Sequence, residues 1–219
     1  MFLHKLLLTI HVLTAMDPIP AAEPFQAHQN TYIEVDPIRH RLLLYADDQL
    51  MKTFPIAIGK PNTPSPVGEY MVINKYKNWG KGFGTRWIGL NVPWGIYGIH
   101  GTNRPSSIGH NASHGCIRMY NHHVEELYEW VRVGTTVSFG GHVLGKPLDN
   151  PRRVAKGDSG GDVQLLQWRL RSEGLYSGEC KGKFNHATEV ALRTYEQQHN
   201  LPVDGVAGYD DYLSLGLIE

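Results

Sequence analysis

The chain has 219 residues, of which 41% are hydrophobic, and it carries 21 basic and 21 acidic side chains. This is the composition of an ordinary globular protein, so it excludes wholesale disorder and a collagen-like chain. The zero net charge argues against a basic nucleic-acid binder. The length suits one large domain or two small ones, since domains cluster near about 100–150 residues.

The neutral total hides an uneven distribution of charge along the chain. Residues 31–140 carry a net charge of +3, residues 141–156 a further +3, and residues 157–219 carry −5. The sign changes near residue 157, which indicates two domains joined by a linker. The 24 glycines and 13 prolines favour a loop-rich, β-rich protein.

The amino-terminal residues have the pattern of an export signal. Lys5 precedes an apolar run that is too short to span a bilayer, which needs about 20 residues, but long enough for a signal-peptide core. We therefore expect residues 1–22 to be a signal peptide and the protein to be exported. A short buried helix, or a misassigned start, is the alternative interpretation.

Short apolar runs separated by turn residues predict a β-meander and further strands in the first part. The glycine- and proline-rich residues 78–110 are predicted as loops between strands. A helical pattern follows Asn121, a candidate N-cap, and stops at Gly134. The predicted strands are residues 31–35, 41–45, 51–58, 69–76 and 135–139.

Residues 141–156 show no periodicity and are predicted as a linker, after which the pattern becomes helical. Asp162 and Asn185 are candidate N-caps of two helices, and a third short helix is expected over residues 210–215. Trp168 and Tyr195 fall at helical positions, so we predict that both belong to a small core. Residues 157–219 are thus predicted to form an all-α module.

The residues that carry chemistry are concentrated between positions 97 and 119. A cysteine nucleophile such as Cys116 reacts as the thiolate and needs a base, for which His100 and His114 are candidates. Gly115 permits a tight turn that would aim backbone amides at an oxyanion. Arg118 alternates with Cys116 along a strand, so its guanidinium shares a face with the thiol and would bind a substrate carboxylate.

Two other interpretations of these residues remain open. A single cysteine is more often a small buried hydrophobe than a nucleophile. The histidines could instead form a metal site, but their spacing matches no paired zinc pattern and no HExxH occurs, so we predict no metal. The side chains concerned are His100, His110, His114, Cys116, His122 and His123.

The first part of the chain resembles the L,D-transpeptidase (YkuD-type) family from about Tyr32 to Phe139. The tail from about Ala155 to Leu217 looks like a peptidoglycan-binding type 1 domain. The resemblance rests on His100-Gly-Thr102, Ser113-His-Gly-Cys-Ile-Arg-Met119, Gly59-Lys60, Thr63-Pro64, Pro66-Val-Gly68, Arg86-Trp-Ile-Gly-Leu90, Gly157-Asp-Ser-Gly-Gly-Asp162 and Leu201-Pro-Val-Asp-Gly205.

The resemblance implies a multi-domain protein: a mainly-β L,D-transpeptidase catalytic domain over 31–140 and a small all-α, three-helix peptidoglycan-binding domain over 157–219. It implies that Cys116 is the nucleophile, that His100 is its base, and that the carbonyl of Gly101 orients the imidazole. The substrate-binding positions that it implies are Ser113, His114, Gly115 and Arg118.

The family resemblance also implies the substrate and partners. The expected partner is peptidoglycan, through its stem peptides and glycan strands, which places the exported protein at the cell wall. The expected substrate is a stem peptide, cross-linked to a neighbouring stem with release of D-alanine, and carbapenem-type inhibitors are expected to acylate Cys116. No cofactor and no stable protein partner are implied. Three alternatives stay open: an L,D-carboxypeptidase that uses water as acceptor, a metallo-hydrolase, and a non-catalytic wall-binding protein.

The sequence departs from the family pattern at His123, where the family often carries Asp near the start of a helix. An imidazolium does not suit the positive end of a helix dipole, so a local contact is expected to differ. Cys180 is predicted to be a free thiol, since a bridge to Cys116 would have to join two domains and would abolish the proposed chemistry.

Overall fold

The computed structural model describes residues 30–144 and 151–218. The predicted signal peptide and residues 145–150 of the predicted linker therefore lie outside the described residues. The strands are β1 (Thr31–Asp36), β2 (Arg41–Ala46), β3 (Gln49–Pro55), β4 (Ile58–Gly59), β5 (Gly68–Lys77), β6 (Arg86–Leu90), β7 (Tyr97–His100), β8 (Asn111–Ser113), β9 (Ile117–Arg118) and β10 (Thr136–Phe139). The α-helices are α1 (Asn121–Trp130), α2 (Gly161–Ser172), α3 (His186–Gln198) and α4 (Tyr209–Ser214).

The predicted β-meander is confirmed at the start of the described chain. Strands β1, β2 and β3 pair antiparallel, with Ile33 opposite Leu44 and Leu42 opposite Phe54. Apolar residues alternate along these strands, so one face of the meander is buried in the core while the other faces solvent.

The meander is one edge of an eight-stranded sheet whose strand order is β3-β2-β1-β10-β5-β6-β7-β9. Strand β10 pairs parallel with β1, with Ile33 beside Val137, so the last strand of the domain lies next to its first. Helix α1 covers the sheet with Val124 and Leu127, both fully buried. This arrangement leaves β7 and β9, the last two strands of the order, to carry the residues of the predicted site.

The prediction of loops throughout residues 78–110 is wrong, because β6 and β7 pair antiparallel within that range. Gly89 lies opposite Gly98 in this ladder, and β-carbons at these positions would approach Trp87 to 2.8 Å and 2.7 Å, respectively. The two glycines therefore make room for the buried Trp87 ring. Glycine is present here because of side-chain packing, and it does not interrupt the strands.

Asn121 is the first residue of α1 and does not cap it. Tyr120 holds the N-cap position without a side-chain hydrogen bond. The Asn121 side chain turns instead toward Gly101, where its Oδ1 would lie 2.3 Å from an added β-carbon. The prediction of an Asn121 cap is therefore wrong, although the predicted helix is present.

The three predicted helices of the second module form around a separate apolar core. Asn185 caps α3 as predicted, since its Oδ1 accepts a hydrogen bond from the Thr188 amide at 2.9 Å. Asp162 does not cap α2: it is the second helical residue, and its carboxylate pairs with Arg152. Gly160 holds that N-cap position.

Two further expectations for the second module need correction. Trp168 is 56% exposed, so it is not a core residue, whereas Tyr195 is buried as predicted. Val154, assigned from the sequence to the linker, is fully buried and exchanges backbone hydrogen bonds with Ala207. The helical module therefore includes the last residues of the predicted linker. Within the described ranges no helix is long and apolar enough to cross a membrane.

Candidate active site

Strands β7 and β9 bring His100 and Arg118 to one face of the sheet. The strands pair parallel, and His100 is the register partner of Arg118. Residues in register in neighbouring strands point to the same face, so these two side chains share a face. Cys116 lies in the turn immediately before β9 and outside the strand, so the predicted strand alternation of Cys116 with Arg118 is not present.

The imidazole of His100 is buried and held by the next residue of the chain. Its Nδ1 lies 2.6 Å from the carbonyl oxygen of Gly101, which can only accept a hydrogen bond, so Nδ1 carries the proton and Nε2 is unprotonated. The ring packs edge-on to Phe83 at 5.0 Å and stacks with Trp87 at 5.8 Å. The Gly101 contact implied by the resemblance is present.

The turn that precedes Cys116 is fixed by Ser113. The Ser113 hydroxyl donates to the Cys116 carbonyl at 2.6 Å and accepts from the Gly115 amide at 3.0 Å. Gly115 has φ of +111°, and a β-carbon there would lie 2.6 Å from Cε1 of Tyr97. Only glycine fits this position. Because the Gly115 amide is bonded to Ser113, it is not aimed at an oxyanion as the sequence suggested.

A second segment of the chain holds this turn through two hydrogen bonds. The Ser65 hydroxyl donates to the Gly115 carbonyl at 2.9 Å, and the Thr63 hydroxyl donates to the Ser113 carbonyl at 3.2 Å. Both side chains come from the proline-rich stretch after β4. Residues 60–67 of that stretch belong to no helix or strand, as predicted. The two hydrogen bonds hold the turn that carries Cys116 against this stretch.

Burial sets the resting protonation state of the Cys116–His100 pair. It lowers the pKa of His100 to about 4. The hydrogen bond to the Gly101 carbonyl raises this pKa, and the positive charge of Arg118 lowers it further. Burial raises the pKa of the Cys116 thiol, opposed by the Gly98 backbone and Arg118. The thiol donates to the carbonyl of Ile96 across 3.8 Å. Both groups are therefore neutral at pH 7, with a protonated thiol and an unprotonated Nε2.

Arg118 and His114 are available to a ligand. Arg118 is partly buried, and no carboxylate of residues 30–144 or 151–218 forms an ion pair with its guanidinium. His114 is exposed at the tip of the turn. In the part of the chain that the structure describes, no three His, Cys, Asp or Glu side chains are close enough together to hold a metal ion. Cys116 and Cys180 are both free cysteines.

The His123 departure has a local structural explanation. The ring packs against Phe54 at 5.3 Å and Tyr120 at 5.4 Å, and its Nδ1 is buried without a hydrogen-bond partner. Burial lowers the pKa of His123, with a further contribution from His122. A neutral ring avoids placing a positive charge at the start of α1.

Sequence reasoning did not identify the aromatic residues that support the site. Tyr97 contacts the Gly115 turn, and its hydroxyl accepts a hydrogen bond from Trp94 Nε1 at 3.2 Å. Trp87 is fixed by a bond from its Nε1 to Asn74 Oδ1 at 3.0 Å. The clustering of three tryptophans in a glycine-rich stretch was the available signal, because large rings beside glycines indicate close packing.

Comparisons with known proteins identify the family of this chain. The family model of the L,D-transpeptidase catalytic domain (YkuD) matches residues 30–138, and that of a peptidoglycan binding domain (PG_binding_1) matches residues 159–210. YqjB of Bacillus subtilis is 37% identical over 121 residues, which cover 48% of this chain and 69% of that protein. The chain belongs to the L,D-transpeptidase (YkuD) family.

Other relatives of this family member match over a smaller share of their length. YkuD of Bacillus licheniformis is 52% identical over 97 residues, which cover 44% of this chain. The match spans 58% of that protein, and the same share of YkuD from Bacillus subtilis. The catalytic domain of the E. faecium L,D-transpeptidase, a solved structure, is 29% identical with a TM-score of 0.45, over 51% of this chain and 98% of that one.

Proposed function

We propose that this protein is a cysteine-dependent L,D-transpeptidase that acts on peptidoglycan stem peptides. The observation that carries the proposal is the bond between His100 Nδ1 and the Gly101 carbonyl, 2.6 Å long, at the end of the strand that pairs with β9, which begins directly after Cys116. It gives the imidazole the tautomer of a general base and fixes its orientation without a third side chain.

In the proposed first half-reaction, Cys116 Sγ attacks the carbonyl between the L-centre of the stem diamino acid and the terminal D-alanine. The thiol proton passes to His100 Nε2, and the imidazolium returns it to the departing amine. The C–N bond breaks, D-alanine leaves, and a thioester remains on Sγ. A neutral resting pair suits this order, because the proton moves as the S–C bond forms.

In the second half-reaction, the side-chain amine of a neighbouring stem attacks the thioester carbonyl. A C–N bond forms, the C–S bond breaks, and the amine proton returns to Sγ through His100. The unpaired Arg118 guanidinium would bind a carboxylate of the donor stem in a bidentate manner. Ser113, His114 and Gly115 would shape the turn against which the donor lies.

The second module would hold the enzyme on its polymeric substrate, as expected for a peptidoglycan binding domain. Peptidoglycan lies outside the cytoplasmic membrane, so we propose an extracytoplasmic location and export by residues 1–22. The reaction as written needs no metal or cofactor.

The decisive experiment incubates the full chain with purified disaccharide-tetrapeptide and analyses the products by mass spectrometry. A cross-linked dimer with loss of one D-alanine supports the transpeptidase, and a tripeptide product would instead establish a carboxypeptidase. Cys116→Ala abolishes both products, whereas Cys180→Ala, the matched control, keeps them. Turnover by Cys116→Ala contradicts the mechanism. If the folded wild-type chain shows no turnover and forms no carbapenem adduct on Cys116, a non-catalytic binding protein is favoured.

A further inference from the structure

Trp94 of the catalytic domain is packed against two glycines of the helical module. Trp94 belongs to the core of the first domain and is 6% exposed. A β-carbon on Gly182 would lie 2.7 Å from its Cε3, and one on Gly161 would lie 3.6 Å from its Cη2. The ring therefore rests directly on the backbone of the second module, which fixes how the two modules meet.

Beside this contact the two modules enclose a cleft of about 580 Å³. One wall is the proline-rich stretch 61–67 of the catalytic domain, and the opposite wall is the loop 157–162 of the helical module. A volume in the range of about 300–1,000 Å³ is typical of ligand sites. The cleft exists only because the helical module is docked where it is.

The cleft borders the turn that carries Cys116. Tyr97 and His114 line it, and both belong to the immediate surroundings of the turn that carries Cys116. Burial raises the pKa of the Tyr97 hydroxyl, and the charges of Arg152 and Asp162 on the helical module act on this same group. Tyr97 thus stands between the nucleophile and the helical module.

The lining of the cleft is polar but offers little net charge. Arg152 and Asp162 neutralise each other through two hydrogen bonds of 2.9 Å and 3.0 Å. The Asp158 carboxylate and the imidazoles of His114 and His142 also line the cleft. The rest of the polar lining is hydroxyl, amide and backbone groups, among them Asn62 and Ser159, both exposed. Neutral donors and acceptors beside aromatic edges suit an N-acetylated sugar better than a charged peptide.

We propose that this cleft binds the glycan portion of the donor strand, so that the helical module supplies one wall of the substrate site. The inference rests on the proposed function and deepens it. The scissile bond follows the third residue of the stem, and three residues span roughly 10 Å, so a stem held at Cys116 brings its sugar to a neighbouring subsite. The recognised ligand is a disaccharide-peptide, and a free tetrapeptide lacks the part that the cleft would hold.

The test compares kcat/KM for a disaccharide-tetrapeptide with that for the free tetrapeptide, using the full chain. We expect wild type to prefer the glycan-bearing substrate by about tenfold or more, since a few sugar hydrogen bonds suffice for that ratio. Ser159→Trp fills the cleft from one wall and Asn62→Trp from the other, and each lowers the ratio. Ser177→Trp, an exposed position of the same module outside the cleft, keeps it.

A wild-type ratio of one, or an unchanged ratio in both cleft variants with wild-type circular dichroism, overturns the proposal. A calorimetric titration distinguishes failure of the cleft proposal from failure of the proposed function. Cys116→Ala protein is titrated with disaccharide-tetrapeptide in the Ser159→Trp and Ser177→Trp backgrounds. Weaker binding only in the former supports the cleft even if wild type turns over neither substrate, and equal binding in both overturns it.

Discussion

The hydroxyl of Ser65 donates a 2.9 Å hydrogen bond to the carbonyl oxygen of Gly115, which immediately precedes Cys116. The same hydroxyl accepts a hydrogen bond from the Gly59 amide at 3.0 Å. One side chain therefore joins the end of β4 to the turn that presents the thiol. The position of the proposed nucleophile, Cys116, therefore depends on a residue 50 positions away from the turn in sequence.

Ser65→Ala is expected to lower both stability and turnover. The change leaves a backbone donor and a backbone acceptor without their partner, which costs about 1–3 kcal/mol in free energy of unfolding. Urea denaturation and stem-peptide turnover measure the two effects. Ser106→Ala, an exposed serine of the same domain, is the control and keeps wild-type values. Wild-type stability and turnover in Ser65→Ala would show that the turn is held without this bond.

Gly115→Ala is expected to abolish turnover through a clash as well as through backbone strain. The added methyl would lie 2.6 Å from Tyr97 and 3.1 Å from the Pro64 carbonyl. Gly109→Ala is the matched control, because Gly109 also has a positive φ, +87°, but no atom near the added methyl. Strain alone costs about 1–2 kcal/mol in either variant. Equal melting temperatures and activities for the two variants would contradict the proposed contact with Tyr97.

Acidification is expected to destabilise the protein through His100. Its pKa is about 4 in the folded state, below the ordinary 6.5, so the unfolded chain takes up the proton first as pH falls. The stabilisation is complete above pH 6.5 and is lost between there and pH 4, amounting to about 3 kcal/mol. Urea denaturation at pH 7, 5.5 and 4.5 measures this loss.

His100→Gln is the control for that pH series. Burial also lowers the pKa of His123, which is present in both proteins, so the difference between the two series isolates His100. We expect a shallower pH dependence for His100→Gln. The same slope in both proteins would contradict the assignment of a buried neutral imidazole.

Arg118→Gln is expected to raise KM for the stem peptide with a smaller effect on kcat. The guanidinium faces the site without a carboxylate partner among the described residues, and a charge-assisted bond to substrate is worth about 1.5–3 kcal/mol, or roughly 10–100-fold. Arg118→Lys restores the charge but not the bidentate geometry and recovers part of the affinity. Arg132→Gln, on the exposed surface after α1, is the control. A wild-type KM in Arg118→Gln would remove Arg118 from the substrate site.

Trp168→Ala is expected to leave the stability of the helical module nearly unchanged, within about 0.5 kcal/mol, because more than half of the indole is exposed. Tyr195→Ala is expected to cost about 3–5 kcal/mol, since that ring is buried in the core and bonded to Ser214. Chemical denaturation of both variants makes the comparison. A similar loss of stability in both variants would show that Trp168 contributes to the core.

The sequence by itself determined the local elements and singled out the group that we propose to be reactive. The alternation in β1 and β2 and the helical periodicity of α1 are properties of neighbouring residues, and the structure retains both. The Asn185 cap was also predictable, because a cap is a contact across three residues. The motif around Cys116 and His100 was enough to indicate the family.

Only the tertiary structure decided which residues surround that group. Strands β6 and β7 carry glycines that a local pattern reads as loop, and their role becomes visible only when Trp87 is packed against them. The side of α2 that Trp168 occupies depends on what covers the helix, which periodicity does not specify. The contact between Trp94 and Gly182, and the cleft beside it, form only where the core of the catalytic domain packs against that of the helical module. Contacts of this kind join residues that are distant in sequence, so no local rule of propensity or spacing contains them.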